Sequence, residues 1–118
     1  MVLAGIGKSR LIGVDTPEVY GGAECFGREA SAYAKRQLEG RTVRYAVGRG
    51  ERDRYGRVLV YLWLADGRSF NALLVGRGYA QPLTVPPDDD YAETFVRLGR
   101  RARERAVGLW AAEACRSG

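Results

Sequence analysis

The chain has 118 residues, 46% hydrophobic and 28% charged, which suits one compact soluble domain over residues 1–118; no apolar run approaches the roughly 20 residues that span a bilayer. Nineteen basic residues against 14 acidic ones give a net charge of +5, and all but two of the basic residues are arginine, whose forked guanidinium suits phosphate, so a polyanionic partner is favoured. The absence of histidine excludes imidazole as base, nucleophile or metal ligand and leaves carboxylates, guanidiniums, amines, hydroxyls and two thiols for chemistry.

Val2–Ala4 and Ser9–Val14 are short apolar runs rich in branched side chains, joined across Gly5-Ile6-Gly7-Lys8, and read as two antiparallel strands. The opening apolar residues are too few for a signal-peptide core, so no export signal is expected within the chain. Pro17 cannot donate to a ladder and restrains the residue before it, which breaks the strand into a loop, Asp15-Thr16-Pro17-Glu18, with two carboxylates. From Glu24 to Glu39, Phe26, Ala30, Tyr33, Ala34 and Leu38 recur at helical spacing, and Gly40 supplies a left-handed C-terminal cap. Thr42–Val47 alternates as a half-buried strand, Gly48–Gly56 is polar and turn-rich, and Arg57–Ala65 is a branched and aromatic strand. Asp66-Gly67 is a strong hairpin dipeptide, predicting strands on both sides of it. Phe70–Gly76 reads as a short helix ended by Gly76-Arg77-Gly78.

Pro82, Pro86 and Pro87 make a rigid loop, after which Asp88, Asp89 and Asp90 are placed to cap the next helix at its positive end. Tyr91, Phe95, Leu98, Ala102 and Ala106 form its apolar stripe, which stops at Gly108, while Arg97, Arg100, Arg101, Arg103 and Arg105 occupy the other faces as a solvated surface with Glu93 and Glu104. Short strands early, a helix between them and another at the end predict an α+β fold around a small closed sheet of the OB type.

Cys25 and Cys115 are ninety residues apart, without the close pairing that zinc or redox motifs use. They are either two free thiols or one bridge tying the C-terminal tail to an early helix, worth roughly 3 to 5 kcal/mol on the chain-entropy model; the bridge is preferred and implies an exported protein.

Arg-Leu-Ile-Gly-Val-Asp-Thr-Pro-Glu at positions 10 to 18 resembles the signature of the staphylococcal nuclease family, the thermonucleases. Phe26 to Lys35 is similar to that family's first helix and Asp-Arg-Tyr-Gly-Arg, 53 to 57, to its second signature, in the same order and spacing; Asn71 to Ala80 and Gly108-Leu109-Trp110 extend the likeness along nearly the whole chain. The resemblance implies a five-stranded Greek-key OB barrel with three helices and a calcium-dependent endonuclease acting on DNA and RNA. It places Arg10 and Arg57 on the scissile phosphate, Asp15 and the Thr16 carbonyl on Ca2+, Glu18 beside the attacking water, and Arg54 and Tyr55 on neighbouring phosphate.

The chemistry agrees with the available residues, since paired guanidiniums and a divalent cation stabilise the charge that builds on a phosphodiester under attack. Arg10 and Asp15 are an odd number of positions apart and would face opposite sides of a straight strand, so a shared site requires a bulge or bend near Gly13. The family's first-strand Asp-Gly-Asp segment has no counterpart here, as no acid precedes Asp15; calcium affinity is therefore expected to be in the weak, roughly millimolar class or absent, and the barrel is expected to have an open edge. The Pro82–Pro87 stretch replaces the family's substrate-flanking tyrosines, so no base-stacking role is assigned there, and Tyr91 is expected in the core. The leading expectation is a monomeric, secreted or periplasmic nuclease of single-stranded DNA and RNA; the alternative is a non-catalytic nucleic-acid-binding module on the same barrel.

Overall fold

The computed structural model describes residues 1–17, 25–111 and 115. Among them lie the strands β1 (Val2–Leu3), β2 (Gly7–Leu11), β3 (Val14–Asp15), β4 (Arg44–Arg52), β5 (Val58–Trp63) and β6 (Gln81–Pro82), and the helices α1 (Gly27–Leu38), α2 (Phe70–Gly76) and α3 (Ala92–Arg105), followed by one 3-10 turn at Gly108–Trp110. The architecture is α+β with mixed strand pairing.

β5 organises the molecule because its sequence, Val-Leu-Val-Tyr-Leu-Trp, is apolar at every position, the pattern of a strand covered on both faces. Val58, Val60 and Leu62 face the main core with Leu11, Val14, Tyr33, Phe70 and Leu74; Leu59, Tyr61 and Trp63 face a smaller one with Ile12 and Phe95 of α3. Each fully buried side chain of this size contributes about 1.5–3 kcal/mol, so Phe70→Ala is among the changes the core tolerates least. β5 pairs in parallel with β2, Ser9 opposite Val58 and Arg10 opposite Leu59, and antiparallel with β4. The resulting order is β1-β2-β5-β4.

The bend required near Gly13 is present. β2 makes its last rung where the Ile12 N–H donates to the Val60 carbonyl at 3.0 Å, and Gly13 then takes a φ of 79° while packed so closely on the Phe95 ring that a Cβ would collide with it. The turned chain leaves the sheet as β3 and pairs with β6, Val14 opposite Pro82 and Asp15 opposite Gln81. Val14 is buried and Asp15 exposed.

Other expectations are corrected. Among the described residues the hydrogen-bonded pairing gives a four-stranded sheet ending at β1 and β4 and a separate β3–β6 ribbon beyond the Gly13 bend, so a closed five-stranded barrel is not seen in it. An apolar groove of about 840 Å3, lined by Leu3, Leu38, Val43 and Tyr45 among others, lies between β1, α1 and β4, and the first half of β4 is exposed rather than half-buried. β4 itself runs on through Gly48 to Arg52 with a register shift after Val47, and the turn is confined to Asp53–Gly56. After Asp66-Gly67 no second strand follows; Ser69 makes one bridge to Trp63 and immediately caps α2, its hydroxyl accepting the Ala72 N–H at 3.1 Å. The acids before α3 do not cap it. Asp88 is buried and accepts the Arg49 N–H at 2.6 Å and the Gly50 N–H at 3.3 Å, while Asp90 pairs with Arg49 at 2.9 Å, so the loop is fastened to the irregular part of β4. Tyr91 is 44% exposed at the N-cap, resting edge-on against Tyr61, not in the core, and α3 ends at a left-handed Ala106, before Gly108.

Cys25 and Cys115 form a disulfide, their Cα atoms 5.5 Å apart. α1 begins two residues after Cys25, with the Phe26 ring tilted against Tyr79 at 5.4 Å and Tyr79 in turn stacked on Tyr33 at 4.3 Å. The bridge thus anchors the start of α1 to the tail.

Candidate active site

The parallel pairing of β2 with β5 determines where two arginines meet. Arg57 immediately precedes Val58, whose neighbour is Ser9, so Arg57 stands next to the strand that carries Arg10. Both line one cavity of about 290 Å3, together with Thr16 and Pro17 from the loop after β3, Gly27, Ala30 and Ser31 from α1, and Phe70 and Leu74 from α2. Its lining is apolar towards the helices, a setting of reduced dielectric in which charge interactions are strengthened.

Arg10 is half-buried, and its Nη2 donates to the Val14 carbonyl at 3.4 Å, reaching across the Gly13 bend to the residue before Asp15. Arg57 is held from its other side. Asp53 Oδ1 accepts the N–H groups of Tyr55 at 3.0 Å and Arg57 at 2.9 Å, and Oδ2 accepts the Arg57 Nε–H at 2.7 Å. The carboxyl of Asp53 sits below its usual range: partial desolvation, the largest single influence, pushes it up, but the Arg57 N–H, the Arg57 guanidinium and the Tyr55 N–H together outweigh it. One aspartate therefore builds the turn and orients the guanidinium. Nothing in the residue pattern beyond membership of the Asp53–Arg57 signature announced that role.

Arg54 and Tyr55 sit at the exposed tip of the same turn. The Arg54 Nη2 donates to the Tyr55 hydroxyl at 2.8 Å, and the Tyr55 ring lies 5.0 Å from the Arg54 guanidinium and 5.4 Å from that of Arg57. They adjoin the cavity through Arg57 and do not line it. Arg10 and Arg54 also line a second cleft of about 430 Å3, whose opposite wall is Leu83, Val85 and Pro86.

Of the residues singled out from sequence, Arg10, Thr16 and Arg57 are brought to one cavity, Asp15 follows the bend with an exposed side chain and does not line that cavity, and Glu18 lies outside the described residues. Asn71, which opens the Asn71–Ala80 segment of the family likeness, has a structural role that the likeness did not assign. It is fully buried on α2; its Oδ1 accepts the Leu62 N–H at 3.0 Å and its Nδ2 donates to the carbonyls of Ile12 at 2.9 Å and Val60 at 3.4 Å. It therefore ties the bend that separates Arg10 from Asp15 to the central strand. A second signal was an amide inside the otherwise apolar run Phe70-Asn71-Ala72-Leu73-Leu74.

The fold is α+β, and it sets Arg10 and Arg57 on one cavity beside the bent strand that carries Asp15. Residues 8–112 match the model of the family described as staphylococcal nuclease homologue, and the chain belongs to that family. It is similar to the thermonuclease of Staphylococcus intermedius, 36% identical over 106 residues that cover 87% of this chain and 62% of the relative. The thermonuclease of Staphylococcus hyicus is 36% identical over 104 residues, covering 86% and 61%. The SPbeta prophage-derived endonuclease of Bacillus subtilis is 28% identical over 106 residues, covering 86% and 36%. The chain thus spans about three-fifths of the length of the two thermonucleases.

Proposed function

We propose that this chain hydrolyses phosphodiester bonds of DNA and RNA, gripping one backbone ester in the cavity between β2, α1 and α2. The observation that carries this is the convergence of Arg10 and Arg57 on that single cavity. Attack on the ester builds negative charge on its non-bridging oxygens, and two guanidiniums held in place beforehand stabilise that charge without reorganising. Because Asp53 engages the Arg57 Nε–H, the two terminal amino groups of that guanidinium are left for phosphate oxygens. Loss of either arginine is expected to remove about 3–4 kcal/mol of barrier lowering, the scale of one preorganised donor.

Glu18 is proposed to orient or activate the attacking water, since a chain without histidine has only carboxylates to offer as bases at neutral pH. Arg54 and Tyr55 would contact the adjoining phosphate, and the aliphatic wall of Leu83, Val85 and Pro86 would receive a neighbouring sugar or base by apolar contact. Asp15 and the Thr16 carbonyl would hold Ca2+. As all-oxygen donors they fit a hard cation in kind, and with no group of three His, Cys, Asp or Glu side chains among the described residues they fit it only weakly in number. When bound, the ion supplies electrostatic stabilisation of the phosphoryl oxygens and lowers the pKa of a bound water.

The Cys25–Cys115 bridge favours a secreted or periplasmic setting, where disulfides persist, and no helix among the described residues is long and apolar enough to cross a membrane. The same sparse set of acids favours a second reading, a nucleic-acid-binding module without metal chemistry. Digestion of single-stranded DNA with calcium, with EDTA and with Arg57→Ala separates the two. Calcium-dependent cleavage lost in the variant supports the nuclease, whereas salt-sensitive binding without cleavage supports the module.

A further inference from the structure

α3 turns Phe95, Gly99 and Ala102 inward, so at 100° per residue Arg97, Arg100 and Arg101 fall on its outer face, with Arg103 and Arg105 on the flanks and all five exposed. No α3 residue lines the cavity of Arg10 and Arg57. The ion pairs formed among the described residues, Arg49–Asp90, Arg57–Asp53 and Arg68–Asp66, all lie off this helix. The only acids on α3 are Glu93 and Glu104, against five arginines. Arg97–Arg101 and Arg101–Arg105 are like-charged pairs one turn apart, a spacing that weakens an isolated helix. Glu93 and Glu104 lie on the same outer face, one turn from Arg97 and from Arg100, yet neither closes an ion pair among the described residues, and the exposed arginines outnumber them five to two, a net positive face.

We infer that the outer face of α3 is a second nucleic-acid contact, at which Arg97, Arg100 and Arg101 hold the phosphate backbone of a single strand whose scissile ester sits in the cavity elsewhere. The inference rests on the nucleic-acid reading above. Arg97 and Arg101 are about 6 Å apart along the helix axis, the same order as successive phosphates on an extended strand. The contact is electrostatic and independent of sequence, so it acts on long polymers and leaves a dinucleotide untouched.

The test compares wild-type protein with Arg97→Gln/Arg100→Gln/Arg101→Gln and the matching triple lysine variant. Binding to a long single-stranded DNA is measured in EDTA across a salt series, and kcat/KM is measured in calcium on the same DNA and on a dinucleotide. The glutamine variant should bind with a log–log salt slope smaller by about 2, roughly 0.7 for each phosphate contact removed. Its kcat/KM should fall on the long DNA and stay unchanged on the dinucleotide, while the lysine variant keeps the wild-type slope; circular dichroism shows that both variants are folded. An unchanged slope in the glutamine variant, with wild-type binding and cleavage intact, overturns this inference and leaves the nuclease reading standing. Absence of any DNA binding by the wild-type protein overturns both. Loss of binding to phosphatidylserine vesicles in the glutamine variant with DNA affinity unaltered assigns the face to anionic membranes and also overturns it.

Discussion

Replacing Asn71 by leucine keeps the side-chain volume nearly constant and removes every polar function of the amide. The Leu62 N–H and the Ile12 carbonyl then lose the partners they have at 3.0 and 2.9 Å, in a position with no access to solvent; the Val60 carbonyl still accepts the Ile12 N–H at 3.0 Å. Each orphaned buried group costs about 1–3 kcal/mol, so the pair costs roughly 2–6, a large share of the 5–15 kcal/mol typical of a whole domain. Urea denaturation followed by tryptophan fluorescence should show the midpoint falling with the slope m unchanged. Asn71→Asp is the informative companion: its carboxylate can accept the Leu62 N–H but cannot donate to Ile12, and it should be at least as destabilising at neutral pH. Since Ile12 adjoins the Gly13 bend, the proposed phosphodiester cleavage by the fraction that remains folded should fall as well. A loss below about 1 kcal/mol for Asn71→Leu would refute the claim that this amide holds the bend to β5.

Three further outcomes are expected. In Gly78→Ala the new methyl meets the Val107 carbonyl at a residue whose φ is 78°, and strain plus overpacking should cost about 2–5 kcal/mol in a thermal melt. Reduction of the Cys25–Cys115 bridge, which spans 90 residues of sequence, should lower stability by roughly 4–5 kcal/mol on the chain-entropy model, read as a shift of the urea midpoint matched by the double serine variant. Burial, and then the nearby carboxylates of Asp88 and Asp90, push the Tyr61 phenol from 10.0 up to about 12. The native state favours its protonated form, so this contribution is intact below pH 10 and is lost as pH rises from 10 towards 12; burial raises the Tyr33 phenol as well, so phenolate absorbance should show a late-titrating phase that loses one tyrosine, not all of it, in Tyr61→Phe.

Local physics made much of the molecule legible without coordinates. The spacing of Ala30, Tyr33 and Leu38 gives α1, that of Phe95 and Ala102 gives α3, and the uninterrupted apolar run of β5 marks a strand, because helical and strand periodicities are written in consecutive residues. The odd separation of Arg10 and Asp15 even required the bend at Gly13. The boundaries that failed were decided by partners far away in sequence. β4 continues through Gly48 to Arg52 because Asp88 supplies acceptors for the Arg49 and Gly50 N–H groups, and the same engagement diverts that aspartate from capping α3. Tyr91 meets Tyr61 at an exposed helix start, an outcome its place on the apolar stripe could not distinguish from burial.

The candidate site divides in the same way. Residue chemistry alone does not single out Arg10, Asp15, Thr16, Glu18, Arg54, Tyr55 and Arg57; they are candidates because the segments 10–18 and 53–57 resemble the signatures of the staphylococcal nuclease family. Their arrangement belongs to the tertiary structure. Parallel pairing of β2 with β5 sets Arg57 beside the strand of Arg10 across nearly fifty residues of chain, and neither strand specifies its neighbour by local preference. Asp53 and Asn71, which hold that arrangement, are ordinary polar residues until the fold buries one and closes a turn around the other.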